Sequence, residues 1–198
     1  MDSADWDQRY LEADRLWSAT PNLFVADRLR HLAPGRGLDL AAGEGRNAIW
    51  LASLGWNMTA VDFSEVAVAR GSAQSEDVDF VLADVVEWEA DTVYDLVLIA
   101  YLHLQPSEFE QVVTRARSLL TPGGEMFLIG HDVSNVEHGW GGPQYPEILW
   151  DVPAILDLLG GMDILEAQVV RRPVDTDDGR KYARDALVRA RTTQLGPM

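Results

Sequence analysis

Three acids sit in or at the end of short apolar runs: Asp39 within Leu38 to Ala41, Asp62 ending Met58 to Asp62, and Asp84 directly after Val78 to Ala83. Each alone reads as a turn or cap residue. In order, they are what an adenosine-containing ligand needs. One carboxylate can accept both hydroxyls of a ribose, and the next can accept from an adenine amino group. Between the first two lies Gly43-Glu44-Gly45-Arg46-Asn47-Ala48, after an apolar run and before a helical pattern. A strand, a Gly-x-Gly turn and a helix open a nucleotide-binding unit. Glycine admits a ligand to the main chain and takes positive φ at little cost. The helix start adds free N–H groups. The same turn followed by Asp62 also fits the dinucleotide fingerprint, so a nicotinamide-dependent oxidoreductase stays open alongside other nucleotide users.

Histidines supply the acid–base candidates. His103 and His131 fall at the carboxyl ends of apolar runs, and His138 falls in a loop. His131 with its neighbour Asp132 is the first choice for a general base or substrate ligand. His31, close before Pro34, is read as structural. No two histidines stand at His-x-x-x-His spacing, and there is no cysteine. No metal site, disulfide or thiol nucleophile is therefore expected. Two aromatic sets remain. Trp6, Tyr10 and Trp17 either form a lid over a cofactor or staple the first helix to the core. Trp140, Tyr145 and Trp150, in a Gly/Pro-rich stretch, are expected to wall a flat hydrophobic or aromatic acceptor.

These residues need a frame. The chain has 198 residues, 47% of them hydrophobic, which suits one domain. The formal net charge of −16 repels nucleic acid phosphates and anionic membranes, so the expected partner is a small molecule. No apolar run reaches the ~18 residues of a membrane span. The acidic start, Met1 to Asp5, does not read as a secretory signal, so a cytoplasmic protein is expected.

Helical spacing predicts helices over 4–17 and 23–32, then from Arg46 to about Leu54, from Glu65 to Ala73, behind a capping box at Ser107 and Glu110, and from a cap at Asp151 to about Leu159. Strands are predicted at 38–41, 58–62, 78–83, 94–100 and 125–130. Thr121-Pro122-Gly123-Gly124 is read as the helix stop. Residues 131–150 read as one long structureless loop. Alternation around Leu165 to Val169 and Ala186 to Ala190, with a polar turn at 175–181, predicts a terminal β-hairpin. Strands alternating with helices make an α/β fold with a mostly parallel sheet. Ligands in such sheets sit beyond the carboxyl ends of the strands.

Leu38 to Asn47, Val61-Asp62-Phe63-Ser64, Ala83-Asp84-Val85, Tyr94-Asp95-Leu96-Val97 and Leu119 to Gly124 resemble, in order and spacing, the successive motifs of class I S-adenosylmethionine-dependent methyltransferases. The Gly-Arg-Asn turn and the Trp-rich first helix are further similar to the tellurite-resistance and thiopurine branch. Ala42 departs from the cysteine or glycine common there, at a position where backbone makes the contact.

The resemblance implies a Rossmann-like, mostly parallel seven-stranded sheet with helices on both faces and an antiparallel final hairpin. It implies a single domain over 1–198: a helical lid at 1–33, a cofactor half at 34–132, and a substrate loop, helix and hairpin at 133–198. It implies S-adenosylmethionine as cofactor and methyl transfer to a small O, N, S or metalloid nucleophile; a non-enzymatic cofactor-binding protein is the alternative. Gly43 and Gly45 would pass under the methionine part. Asp39 would orient its amino group, directly or by bracing the turn, with Ala41 and Arg46 beside it. Asp62 would hold the ribose hydroxyls, with Phe63 and Ser64 next to the adenine. Asp84 and the Val85 backbone would hold the adenine edge. Ala100 and Tyr101 would lie near the sulfonium. His131, Asp132, Tyr101 and His103 are the catalytic candidates; Trp17, His138, Trp140, Gln144 and Tyr145 are the acceptor-side candidates.

Overall fold

A computed structural model describes residues 2–14 and 16–193. The elements run α1 (Ser3–Leu11), α2 (Leu23–Leu29), β1 (Arg36–Leu40), α3 (Arg46–Ser53), β2 (Asn57–Asp62), α4 (Glu65–Gln74), β3 (Val78–Leu82), β4 (Tyr94–Ala100), α5 (Pro106–Ser118), β5 (Leu120–His131), α6 (Asn135–His138), α7 (Val152–Leu158), β6 (Asp163–Thr176) and β7 (Gly179–Arg191). The seven strands make one sheet in the order β3-β2-β1-β4-β5-β7-β6. Strands β1, β2 and β3 pair in parallel, whereas β7 runs antiparallel to both β5 and β6. The expected fold class and reversed final hairpin are both present. Among the described residues no helix is long and apolar enough to cross a membrane.

The chain divides into two compact units, residues 1–98 and 99–198. In the first, β1 is buried along Gly37–Leu40, and Met58, Ala60 and Val61 of β2 are fully buried. Helices α3 and α4 cover these strands through Ala48, Leu51 and Ala67. In the second, Met126, Leu128 and Ile129 of β5 pair in register with Ala190, Val188 and Leu187 of β7, all fully buried. Continuous apolar runs of this kind belong to strands covered on both faces.

Four local expectations are corrected. Helix α1 stops at Leu11 and does not reach Trp17; Arg15, within that span, lies outside the described residues. The Arg70 Nη1 donates to the Ala13 carbonyl at 3.0 Å, so that oxygen serves a side chain instead of a helical N–H. Helix α5 starts two residues earlier than a Ser107 cap implied. Gln105 is its cap, Pro106 its first residue, and the Gln105 N–H donates to Glu108. Proline fits there because the first helical N–H has no partner to lose. The Thr121 to Gly124 stretch lies within β5, and the helix ends before it, at Ser118. Residues 131–150 are not structureless. They hold α6, a single 3-10 turn at Pro146–Ile148, and a parallel bridge between Asp132 and Trp150.

Candidate active site

The glycine turn follows from the backbone it must adopt. Ala41, Gly43 and Gly45 have φ of 59°, 57° and 76°, and Gly45 is the left-handed cap of α3. A non-glycine residue at positive φ is strained, and such strain gathers at functional sites. Gly45 answers to packing as well. A Cβ there would stand 2.5 Å from the Phe80 ring. Gly45→Ala should therefore cost roughly 1–3 kcal/mol from positive φ and overpacking together; a urea titration reads it. At Gly43 an added Cβ would meet the Tyr10 hydroxyl at 2.6 Å.

Asp39 and Asp62 sit in this turn with different surroundings. Asp39 is fully buried, and neither carboxylate oxygen has a hydrogen-bond partner within normal geometry. Burial pushes its pKa up to about 7; nearby Arg46 and the Ala48 N–H oppose the rise, and Asp62 adds to it. Asp62, 7% exposed, accepts from the Gly43 N–H at 2.7 Å and the Ser64 N–H at 2.9 Å. Burial raises its pKa although these N–H groups oppose the rise. Asp62 thus braces the glycine turn and the start of α4 at once.

The first helix is stapled onto this turn. Asp7 accepts from the Ser64 hydroxyl at 2.5 Å and from the Val66 N–H at 3.1 Å. Ser64 caps α4 by accepting from the Ala67 N–H. Tyr10 is buried, with its hydroxyl proton held more tightly by burial and by Asp62. The Trp17 indole N–H donates to that hydroxyl at 3.3 Å, and Trp6 packs near both rings. Arg46 donates to Ser18 at 2.9 Å. Trp17, expected on the acceptor side, therefore stands over the glycine turn. Phe63 is half-buried and Val85 buried; Asp84 is exposed and accepts from the Val86 N–H at 2.9 Å, capping the turn after β3.

The second unit holds a separate cluster. His131 and Asp185 are register partners on β5 and β7. Their Nδ1 and Oδ1 approach to 3.2 Å, off the line of a good hydrogen bond. The Tyr101 hydroxyl donates to Asp185 Oδ2 at 2.7 Å, and Arg172 Nε donates to the same oxygen at 2.7 Å and to the Tyr101 oxygen at 2.9 Å. Burial would lift the Asp185 carboxyl, but His131, Arg172 and Tyr101 outweigh it and hold it below the usual range. Tyr101 has φ of 61°, and its N–H donates to the Ile129 carbonyl at 2.7 Å, fixing the residue beside β5. Burial and Asp185 keep its phenol protonated. His103 stacks on His131 with centroids 5.5 Å apart and planes at 16°. Its Nδ1 lies 3.1 Å from the Ile148 carbonyl, so that nitrogen carries the proton and Nε2 is left as a buried, unpartnered acceptor. Burial, then the neighbouring His131, lowers the His103 pKa to about 4.

Several candidates fall outside this cluster. Asp132 does not serve His131. It accepts from the Ser134 N–H at 2.9 Å and from the Ser134 hydroxyl, as a turn residue. Successive residues of a strand point to opposite faces, so His131 finds its carboxylate across the sheet. Trp150 is a peg, not a wall. It is 3% exposed, donates to the Leu102 carbonyl at 3.0 Å, and its ring fills the space over Gly130. His138 is exposed and stands 3.7 Å from Glu137. Trp140 is 45% exposed with Lys181 over its ring at 5.5 Å, and Tyr145 is 65% exposed. The Gln144 amide donates weakly to the Gly142 and Pro143 carbonyls. Ala100, at the end of β4, is half-buried.

Sequence reasoning missed Asp185 and Arg172. The available signal was an acid directly before the apolar run Ala186, Leu187 and Val188, with which it is fully buried.

Comparison with known proteins accords with this geometry. Residues 38–124 match the model of a methyltransferase domain. Among curated relatives, a Geobacillus sp. (strain WCH70) protein with a provisional methyltransferase name is 32% identical over 110 residues, covering 51% of this chain and 44% of its own. Hemagglutinin 1 of Eikenella corrodens is 27% identical over 117 residues, covering 48% and 39%. The chain thus spans less than half the length of the curated relatives it matches. Among solved structures, TehB from Haemophilus influenzae has a TM-score of 0.75 at 17% identity, covering 94% of this chain and 66% of that one. The 1,6-didemethyltoxoflavin-N1-methyltransferase of Burkholderia thailandensis, with its substrate and S-adenosylhomocysteine bound, has 0.70 at 21%, covering 97% and 87%. Residues 38–124 are thus similar to a methyltransferase domain, and the chain shares its fold with these solved structures. S-adenosylmethionine is the cofactor that goes with such a domain.

Proposed function

We propose that the chain transfers the methyl group of S-adenosylmethionine to a small-molecule acceptor by in-line displacement. The observation that carries this reading is Asp39: a fully buried carboxylate with no hydrogen bond of good geometry, only partly offset by the Ala48 N–H and Arg46, two residues before the strained Ala41 that opens the glycine turn. An uncompensated buried acid is costly, and the ammonium of the cofactor's methionine part is a cation that offsets the cost. The residues fit the cofactor in other respects. Gly43 and Gly45 carry no side chain at the two positive-φ glycine positions of the turn. Asp62 has lone pairs left for ribose hydroxyls after its two backbone bonds. Phe63 and Val85 offer apolar surface to a base, and the Asp84 carboxylate is exposed to receive an amino group. Arg46, Ala41 and Ser64 complete that side, and Tyr10 and Trp17 cover the turn. Within the second unit, Ala100 and Tyr101 are the residues we assign to the region near the sulfonium.

When bound, the cofactor supplies a methyl carbon already activated by a positive sulfur. The protein's task is alignment and water exclusion, which can supply roughly 7–11 kcal/mol of a barrier. The net charge of −16 favours a small neutral or cationic acceptor over nucleic acid. The toxoflavin enzyme, of the same fold, methylates a small heterocycle, which supports that acceptor class. Trp140, Gln144 and Tyr145 are the wall residues we assign to the acceptor, with His138 at its edge.

Asp62→Ala should weaken S-adenosylhomocysteine binding by about tenfold or more, from one lost charge-assisted contact, while the circular dichroism spectrum is retained. A screen of phenols, N-heterocycles, thiols and metalloid oxyanions with labelled S-adenosylmethionine should find a methylated product. Tight cofactor binding with transfer to none would favour a non-enzymatic role.

A further inference from the structure

We infer that His131 and Asp185 form a proton-accepting dyad, and that the acceptor it serves presents an O–H or N–H group, as a phenol, an enol or a heterocyclic N–H does. The inference rests on the proposed methyl transfer and adds the acceptor chemistry. Within one cluster, three buried polar atoms lack a hydrogen-bond partner of good geometry: His131 Nδ1, Asp185 Oδ1 and His103 Nε2. The first two face each other at 3.2 Å; His103 Nε2 is an acceptor left over, and because buried polar groups in folded proteins are almost all satisfied it marks a place where a polar ligand or water belongs.

The proton positions follow from the partners. A carboxylate oxygen 3.2 Å from His131 Nδ1 makes that nitrogen the protonated one. His131 Nε2 is then the bare, basic atom. Asp185 keeps its place through Tyr101 on one side and Arg172 on the other. That is the arrangement in which a buried carboxylate fixes a histidine tautomer and stabilises the imidazolium that forms. His103, held neutral by burial and by its stacked partner, does not compete for the proton. Its Nε2 accepts a hydrogen bond and nothing more. The charged and titratable groups facing the dyad are therefore Tyr101 after β4, His103 in the loop behind it, Arg172 on β6 and the two members themselves.

Gly142 completes the site. Its φ is +75°, and a Cβ there would stand 2.6 Å from His131 Nε2. The absence of a side chain leaves the basic nitrogen facing bare backbone in the 139–143 loop. His131 Nε2 takes the proton of the acceptor's O–H or N–H, the electron pair of that bond stays on the acceptor's oxygen or nitrogen as the nucleophile, and the proton later passes from His131 to water.

The test combines three readings on the whole chain. Nitrogen-15 NMR of the imidazoles should show His131 protonated at Nδ1 and bare at Nε2, with mixed tautomers in Asp185→Asn. Diethyl pyrocarbonate, followed by mass spectrometry, should modify His131 in the wild type and at least about tenfold more slowly in Gly142→Ala. His131→Gln should keep S-adenosylhomocysteine affinity while lowering methylation of phenols and N-heterocycles by about 100-fold or more, the usual worth of a base. A proton on Nε2, an unchanged modification rate in Gly142→Ala, or methylation within about threefold of wild type in His131→Gln would overturn the dyad. A wild type that methylates nothing counts against the proposed function alone, and the NMR and modification rates still decide the dyad.

Discussion

Asp39→Asn is expected to make the free protein more stable above neutral pH and, at the same time, to cost it most of its cofactor affinity. The native carboxyl is pushed up to about 7 by complete burial. In the unfolded chain it returns to its ordinary value. Between about pH 4 and about pH 7 the folded state therefore holds a proton that the unfolded state has released, so stability falls as pH rises through that window and levels off above it. The displacement corresponds to something on the order of 4 kcal/mol. Asparagine removes the charge but still buries an amide without partners, so the net gain at about pH 8 should be roughly 1–3 kcal/mol. Calorimetric melting from about pH 5 to about pH 8 should show a downward slope in the wild type that is absent from Asp39→Asn. Removing one partner of a buried charge pair costs about 2–5 kcal/mol of binding, so S-adenosylhomocysteine should bind at least about 30-fold more weakly. If the bound ammonium draws the proton off Asp39, wild-type binding at about pH 6 releases close to one proton; titrations in buffers of different ionisation enthalpy measure it.

Asp185→Ala should be the most destabilising single change in the second unit. Asp185 is fully buried and is the shared acceptor of Tyr101 and Arg172, with His131 at ion-pair distance. Removing it strands a half-buried guanidinium, a half-buried phenol and an imidazole together. Breaking a buried pair in this way typically costs about 3–5 kcal/mol. Asp185→Asn, which keeps an acceptor oxygen, should cost clearly less. Because the native carboxyl sits below its ordinary range, the stability it contributes is complete above the unfolded carboxylate pKa and is lost only as pH falls through the lowered folded value. Urea titrations near neutrality and in acid should show the gap between wild type and Asp185→Ala narrowing only on the acid side.

The two halves of the candidate site differed in how far the sequence alone revealed them. Asp39, Gly43, Gly45 and Asp62 were legible because the cofactor side is built from consecutive residues at strand ends, where a motif and its contacts coincide. The roles of Tyr10 and Asp7 were not, since they act through contacts more than thirty residues away along the chain. On the other side, adjacency misled. His131-Asp132 looks like a base and its carboxylate, but strand alternation turns Asp132 to the opposite face and its partner comes from β7. Register between strands that far apart is not written in any local pattern. Trp150 misled for a related reason: aromatic character does not tell a wall from a peg until Gly130 and the Leu102 carbonyl are found to receive it. The α5 start differed because Pro106 at the first helical position, with Gln105 before it, competes with Ser107 as the cap.

The claim on which everything else depends is that the glycine turn, Asp39 and Asp62 hold S-adenosylmethionine. Isothermal titration of the wild-type chain with S-adenosylhomocysteine tests it most directly. The structure predicts one site per chain with a dissociation constant on the order of micromolar, near −8 kcal/mol. No heat and no shift in melting temperature with ligand at about 1 mM, far above such a constant, would contradict it.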